Sequence, residues 1–369
     1  MVDHETAFQS LDGTALFGTV CAARTRGPAA VLVHGSGVTR EEGGFFTRLA
    51  AGLAASGVTS LRFDLRAHGA SGGRESELTI ASVTNDIRAA SDHLRARTGR
   101  PGPVNVIAAS FSGGAAALHA AHRPGDVDKL VLLNPRLDYK ERYVTSRPGW
   151  SDDYLSGEMA VRLEEQGFTE KSPFELNRAL LNEVFYLDTP SILAGVRAPV
   201  LMVHGTADTF VPVESSRRHR VMFGGPVELV ELDGAQHGVA VHDDPQYLHP
   251  QSQVWQREVI EHVSAFVAGY TAASSPRRRR NSRTAGRPAY GARSAAVRWS
   301  SARACPKRAP AARLRASWAA VAASSGSPAA TRAPEYWAVK NARSRGANTL
   351  VVRCSRKRLT ARSLRPASR

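Results

Sequence analysis

Three polar side chains that together could carry out acyl transfer each follow an apolar segment of this sequence. Ser110 stands in VNVIAASFSGG, Asp208 in APVLMVHGTAD and His237 in VELVELDGAQHG. A serine hydroxyl is a poor nucleophile at neutral pH unless a base lies within hydrogen-bond reach. A histidine oriented by a carboxylate is such a base. The three residues therefore predict a nucleophile, Ser110, with His237 as its general base and Asp208 holding the imidazole in the required tautomer.

The residues around Ser110 predict a buried strand, a sharp turn and a helix of small residues. A nucleophile on such a strained turn needs small residues two positions before and two positions after it. Ala108 and Ser112 occupy these positions. Ser112 is itself flanked by small residues, so it is an alternative nucleophile.

One other histidine could act as the general base, and the sequence contains no metal-binding motif. His242 lies close to His237 in the chain, but only His237 directly follows a strand downstream of an aspartate-bearing turn, so His237 is favoured. His34, His68 and His204 lack the helical pairing of a motif such as H-E-x-x-H. The three cysteines show neither a disulfide framework nor metal-ligand spacing. We therefore predict no metal and no cofactor.

An acyl-transfer site also needs donors for the oxyanion that develops in the transition state. One predicted donor is the backbone N–H of Phe111, directly after the nucleophile. The other is expected in the loop after the early strand in AAVLVHGSG, at Ser36, with Gly37 as the alternative. Losing one such donor typically costs about 3–4 kcal/mol of transition-state stabilisation.

Six motifs occur in the order found in the α/β-hydrolase superfamily, which this sequence resembles over most of its first 270 residues. They are HGSG, RFDLRAHGASGG, ASFSGG, LVLLNP, PVLMVHGTAD and GAQHG. The front half is similar to the serine aminopeptidase and feruloyl-esterase-like branch. The run AASFS is similar to the A-x-S-x-S elbow of bioluminescence-type acyl transferases, which are myristoyl-acyl carrier protein thioesterases.

This resemblance implies a serine hydrolase that cleaves carboxylic esters or thioesters. Fatty acyl thioesters and peptides are the alternative substrates, and an inactive hydrolase-like protein is the non-enzymatic alternative. The resemblance also favours Ser110 over Ser112, because a bulky residue such as Phe111 usually follows the nucleophile and the spacing to LVLLNP matches the family. At Ala67, Ala108 and Ser112 the family usually has glycine.

Apolar strands alternate with amphipathic helices through the first 273 residues, which predicts an α/β fold with a mostly parallel sheet flanked by helices. Two antiparallel strands are expected to open it, at HETAFQS and ALFGTVCAA. Helices are predicted at about 45–55 and 79–97. A final helix is expected to start near position 242 and to bury one face, which carries Val254, Val259, His262, Val263 and Phe266.

Residues 136–195 separate two core strands by more than a plain loop needs. We interpret this segment as a helical lid inserted over the site. Its aromatic residues either form the wall of an acyl pocket or pack the lid onto the body. They are Trp150, Tyr154, Phe168, Phe174, Phe185 and Tyr186.

Charge divides the chain near Ser274. Residues 274–369 hold 24 Lys and Arg and one acidic residue out of chain totals of 49 and 33, which leaves 25 basic and 32 acidic residues before them. This Arg-, Ala-, Ser- and Pro-rich tail is predicted to be disordered. It either represents an out-of-frame extension or binds nucleic acid, and the acidic body is not expected to bind nucleic acid.

The sequence also predicts the partners and the location. The start MVDHETAF lacks an apolar core, and no apolar run reaches the roughly 20 residues that span a bilayer. We therefore expect a cytoplasmic protein that acts on a small-molecule acyl ester or thioester without a membrane. The sequence does not predict an oligomeric state.

Overall fold

Strands and helices alternate along residues 3–171, 174–242, 244 and 246–269, which the computed structural model describes. The strands are β1 (Asp3–Gln9), β2 (Ala15–Cys21), β3 (Ala29–Val33), β4 (Thr59–Phe63), β5 (Val104–Ala109), β6 (Val127–Leu133), β7 (Trp150–Ser151), β8 (Tyr154–Leu155), β9 (Phe168–Lys171), β10 (Glu175–Asn177), β11 (Val200–Gly205) and β12 (Val227–Leu232). The helices are α1 (Phe45–Ala55), α2 (Ile80–Thr98), α3 (Ser112–His122), α4 (Gly157–Gln166), α5 (Arg178–Glu183), α6 (Thr189–Gly195), α7 (Val213–His219) and α8 (Pro250–Ala268). The predicted tail at 274–369 lies outside the described residues.

Eight strands form one sheet in the order β1-β2-β4-β3-β5-β6-β11-β12. Strand β2 runs antiparallel to both β1 and β4, and all other neighbours are parallel. This confirms the predicted α/β-hydrolase fold, with its mostly parallel sheet and two antiparallel opening strands. Because the carboxyl ends of parallel strands meet at one edge, the loops after β3, β5, β6, β11 and β12 converge there.

The central strands are covered on both faces, which explains their continuous apolar runs. Every residue of β3, β5 and β11 is buried. In β3, Val31 and Val33 pack in the cluster that contains α2 and α3, whereas Ala30 and Leu32 pack in the cluster that contains α1 and α8. Because successive side chains of a strand point to opposite faces of the sheet, β3 contributes residues to both hydrophobic clusters.

The predicted helix at 45–55 coincides with α1, and the one at 79–97 corresponds to α2. The final helix differs, because α8 begins at Pro250 and its buried side chains include Ser252, Gln256 and Val259. Val254 is 46% exposed and His262 is exposed as well, so the assignment of these two residues to the buried face was wrong. The buried residues in the first two turns of α8 are polar. A prediction that uses apolar residues alone therefore misplaces the buried face of this helix.

The segment 136–195 is only partly helical. It contains a π-helical turn at Glu141–Thr145, the hairpins β7–β8 and β9–β10, and the short helices α4, α5 and α6. Gly167 adopts φ +81° and ends α4, so β9 follows at once. Among the described residues, every helix is too short or too polar to span a lipid bilayer.

Candidate active site

Ser110 lies on a strained turn between β5 and α3. Its φ of +50° is in the left-handed region that non-glycine residues rarely adopt. The Ser110 N–H donates to the Leu133 carbonyl over 2.9 Å, and its carbonyl accepts from Arg136 and Gly113 over 2.8 and 3.0 Å. Bonds to the last residue of β6 and to the chain that follows it therefore hold the turn in place.

Two glycines bring the chain after β6 against this turn. A Cβ on Gly113 would lie 2.7 Å from the Pro135 side chain, and one on Gly114 would lie 2.6 Å from the Tyr139 ring. The Tyr139 hydroxyl donates to the Phe111 carbonyl over 2.6 Å and accepts from the Ala115 N–H over 2.9 Å. Sequence reasoning missed Tyr139, although the paired glycines in SFSGG indicated a close approach there.

The structure brings the three predicted side chains together. His237 Nε2 lies 2.9 Å from Ser110 Oγ, and His237 Nδ1 lies 2.7 Å from Asp208 Oδ2. These contacts join the loops after β5, β11 and β12. With Nδ1 donating to the carboxylate, Nε2 is left to accept the serine proton.

Asp208 is buried and remains ionised. Burial alone would raise the pKa of its carboxyl, but contacts from His204 and His237 outweigh burial and hold this pKa well below its usual range. Its Oδ1 accepts the N–H groups of Phe210 and Val211 over 2.8 and 2.9 Å. Such hydrogen bonds stabilise the charged form and fix the carboxylate for His237.

Asn134 is a further support of this carboxylate that sequence reasoning missed. Its Nδ2 donates to Asp208 Oδ2 over 2.6 Å, and its backbone N–H donates to the Val203 carbonyl over 2.8 Å. The residue adopts φ +45° directly after β6. Its position in LVLLNP, at the end of the strand beside β11, was the available signal.

The loop after β3 presents one of its two predicted donors to the site. Gly35 N–H donates to Glu42 over 2.9 Å and Gly37 N–H to His68 Nε2 over 3.2 Å. Within the described residues, the N–H groups of Ser36 and Phe111 have no protein acceptor, and both residues line the same pocket as Ser110. Ser36 rather than Gly37 is thus the available donor in this loop.

Comparison with known proteins shows the family of the chain. A model of the alpha/beta hydrolase family matches residues 30–250. The chain belongs to the alpha/beta hydrolase family. It is 27% identical over 213 residues to a monoacylglycerol lipase of Mycolicibacterium smegmatis, covering 51% of this chain and 72% of the relative. It is 30% identical over 175 residues to thiohydrolase apmlB of Arthrinium phaeospermum, covering 47% and 54%.

Solved structures share the fold of this α/β hydrolase. Est1E from Butyrivibrio proteoclasticus, solved with bound ferulic acid, superposes with a TM-score of 0.55 at 19% identity, over 70% of this chain and 99% of Est1E. Mouse alpha/beta hydrolase domain-containing protein 10 gives a TM-score of 0.56 at 16% identity, over 73% and 100%. At these identities the likeness concerns the fold alone.

The alternative nucleophile, Ser112, and the alternative base, His242, make other contacts in this hydrolase. The Ser112 hydroxyl is buried and shares its single proton between the carbonyl oxygens of Val33 and Ala109, at 3.0 and 2.9 Å. His242 is exposed, and its ring stacks on Phe210 with a centroid distance of 5.6 Å. The geometry therefore joins Ser110 and His237 rather than these neighbours.

The other histidines near the site form hydrogen bonds with backbone groups of the surrounding loops. His34 Nε2 accepts the Leu65 N–H over 2.9 Å, and burial lowers the pKa of this histidine to about 3, which keeps it neutral. Ala67, beside His68, adopts φ +62°, a conformation that explains the usual glycine there. Among the residues that the structure describes, no three His, Cys, Asp or Glu side chains cluster as a metal site.

The aromatic residues at the pocket beside Ser110 differ from the six candidates named from the sequence, for which packing onto the body was the alternative. None of the six predicted aromatic residues lines the pocket. Phe174 is buried behind Phe111, with ring centroids 5.0 Å apart, and Tyr154 and Tyr186 are exposed. The lining includes Ser36, Ser110, Phe111, Arg136, Arg142, Tyr143, Phe210, His237 and Tyr247.

Proposed function

We propose that this chain is a serine hydrolase that cleaves small carboxylic esters through an acyl intermediate on Ser110. The observation that carries the proposal is the pair of hydrogen bonds from Ser110 to His237 and from His237 to Asp208, 2.9 and 2.7 Å long. The similarity to a protein named monoacylglycerol lipase also supports ester substrates.

In the proposed mechanism, His237 Nε2 takes the hydroxyl proton as Ser110 Oγ attacks the carbonyl carbon. The N–H groups of Ser36 and Phe111 stabilise the oxyanion. The tetrahedral intermediate collapses, and the leaving alcohol receives the proton from His237. A water molecule then attacks the acyl-serine by the same steps and releases the acid and the free Ser110.

Phe111 is well suited to the oxyanion role because it directly precedes α3. The first N–H groups of a helix have no intrahelical acceptor and carry the positive end of its dipole. Gly35 gives the loop after β3 its close approach, because a Cβ there would lie 3.2 Å from the Ser110 Cβ. These contacts support a site in which both donors face the same carbonyl oxygen.

Thioesters are the second candidate substrate class. One relative is named a thiohydrolase, and the steps written above apply equally to a thiolate leaving group. A matched oxygen ester and thioester with the same acyl group separate the two classes, since only the leaving group differs.

We also propose that residues 136–195 form a lid that takes part in substrate choice. Arg136, Arg142 and Tyr143 of this segment line the pocket with Ser110. The Lys140 side chain bonds Asp153 over 2.6 Å, which ties the β7–β8 hairpin to the chain above the elbow. A change in this segment therefore acts directly on the walls that face the acyl group.

The proposal is tested by turnover of p-nitrophenyl butyrate and by labelling with a fluorophosphonate probe. We expect Ser110→Ala to lose the label and at least about 1,000-fold in kcat. Ser112→Ala, a matched substitution two residues away, is expected to keep the label and most of the turnover. A labelled, active Ser110→Ala protein would contradict the proposal.

A further inference from the structure

Basic side chains are frequent just after β6, and two of them, away from the pocket, are neutralised. Lys140 forms an ion pair with Asp153, and Arg147 forms one with Glu170. Each of these cations therefore has a carboxylate of the same inserted segment as its partner. They serve to hold the segment together.

The two remaining arginines between positions 136 and 147 differ. Arg136 and Arg142 both line the pocket that contains Ser110. Among the residues that the structure describes, no carboxylate oxygen lies within 4.0 Å of either guanidinium. Of these four basic residues, the two that line the pocket are thus the ones that form no ion pair within the described part of the chain.

Contacts hold both guanidinium groups without neutralising them. One Arg136 Nη donates to the Phe210 carbonyl over 2.5 Å, and the Arg142 guanidinium lies 5.9 Å from the centre of the Tyr143 ring. Burial lowers the pKa of Arg136 and the neighbouring Arg142 charge acts in the same direction, and together they outweigh the opposing charges of Asp208 and Glu141. An unpaired cation in such a place is costly unless an anion joins it.

One carboxylate does line the pocket, but it belongs to another element. Glu42 follows β3 and accepts the Gly35 N–H over 2.9 Å. It supports the loop that carries Ser36.

From these contacts we propose that Arg136 and Arg142 bind an anionic group, a carboxylate or a phosphate, on the substrate whose acyl carbonyl lies at Ser110. A planar guanidinium can bind both oxygens of such a group in parallel, which gives orientation as well as affinity. The inference rests on the proposed hydrolase function and deepens it, because it names the chemical class of the substrate.

The test measures binding to Ser110→Ala by calorimetry, so that no ligand is consumed. Monoethyl succinate is compared with ethyl levulinate, which replaces the carboxylate by a methyl ketone. S-Butanoyl-4′-phosphopantetheine is compared with S-butanoyl-pantetheine, which lacks only the phosphate. We expect the anionic member of one pair to bind about 10- to 100-fold more tightly, the range for a hydrogen-bonded charge.

Variants of Arg142 assign that preference to the pocket. In the Ser110→Ala background, Arg142→Gln is expected to reduce it to about 3-fold or less, and Arg142→Lys, which keeps the charge, to retain part of it. Arg162→Gln, at an exposed arginine of α4, is the matched control and is expected to leave it intact. Thermal melts check that each variant is folded.

The outcome also separates this inference from the proposed function. Equal affinity within both pairs, or a preference that survives the double substitution of Arg136 and Arg142 to Gln, would overturn it. Fluorophosphonate labelling of Ser110 does not depend on substrate charge. A protein that is labelled but shows no preference for anions keeps the proposed function and loses this inference alone.

Discussion

At the scale of single residues, the carboxylate of Asp208 depends on a neighbour from another strand. Asn134 donates to Asp208 Oδ2 over 2.6 Å, while the pKa of Asp208 is held low against the effect of burial. A carboxyl with a lowered folded pKa contributes stability that is present above its unfolded pKa of about 3.9 and lost as pH falls. Asp208 is therefore a stabilising anion at neutral pH.

Asn134→Asp tests this arrangement because it places a second carboxylate beside Asp208. Aspartate tolerates φ +45° as asparagine does, so the backbone is kept. Two adjacent carboxylates raise one pKa, so the cost of the substitution grows as pH rises above about 4. We expect a small drop in melting temperature at pH 4 and a larger one at pH 7, measured by thermal melts in parallel buffers.

Asn134→Ala is the control for that experiment. It removes the same donor without adding a charge, so its loss of about 1–3 kcal/mol is expected to vary less between pH 4 and 7. Asn134→Asp proteins that lose equal stability at both pH values would show that charge repulsion at Asp208 is not the cause.

At the scale of elements, the close packing of α3 against the chain after β6 requires glycine in the first turn of α3. A Cβ on Gly114 would lie 2.6 Å from the Tyr139 ring, whose hydroxyl bonds the first turn of α3. Gly114→Ala is expected to cost about 1–3 kcal/mol of unfolding free energy through overpacking. It should also lower turnover, because the displaced ring no longer supports the turn that carries Ser110.

Gly125→Ala is the matched control for this substitution. Nothing lies within 4 Å of a Cβ built at Gly125, and its φ is not positive, so we expect a change within about 0.5 kcal/mol. Urea denaturation curves measure both variants. If Gly114→Ala proved as stable and active as the control, the packing of Tyr139 would not matter for the elbow.

At the scale of the whole molecule, the charge of the chain is concentrated beyond the described residues. The tail from Ser274 is basic, whereas the 25 basic and 32 acidic residues before it make the body acidic. We predict that a chain ending at Ala273 keeps its melting temperature and its turnover of p-nitrophenyl butyrate. We also expect it to lose any salt-sensitive retention on heparin, because an acidic body repels a polyanion.

Two measurements on the full and shortened chains decide this prediction. Calorimetric melts compare stability, and elution salt from a heparin column compares the charge-driven affinity. A shortened chain that melts markedly earlier or loses turnover would show that the tail contributes to the folded body, contrary to its composition.

The sequence alone determined what depends on neighbours along the chain. Apolar runs and helical spacing predicted the sheet and the bounds of α1, because burial periodicity is a local property. Small residues around Ser110, and polar residues after two later strands, predicted which side chains meet, since parallel strands end at one edge. The roles of Ser110, Asp208 and His237 in catalysis remain predictions for the experiments above.

Only the tertiary structure decided which side chains from distant positions complete the site. Asn134 reaches Asp208, Tyr139 caps α3, and Arg142 enters the pocket from a π-helical turn. The sequence left open whether the aromatic residues of 136–195 line the pocket or pack the segment onto the body, and the structure places Tyr143 and Phe210, rather than Phe174, at the pocket. Such contacts depend on how short elements rotate and pack against a sheet, and no local pattern in the sequence records that orientation.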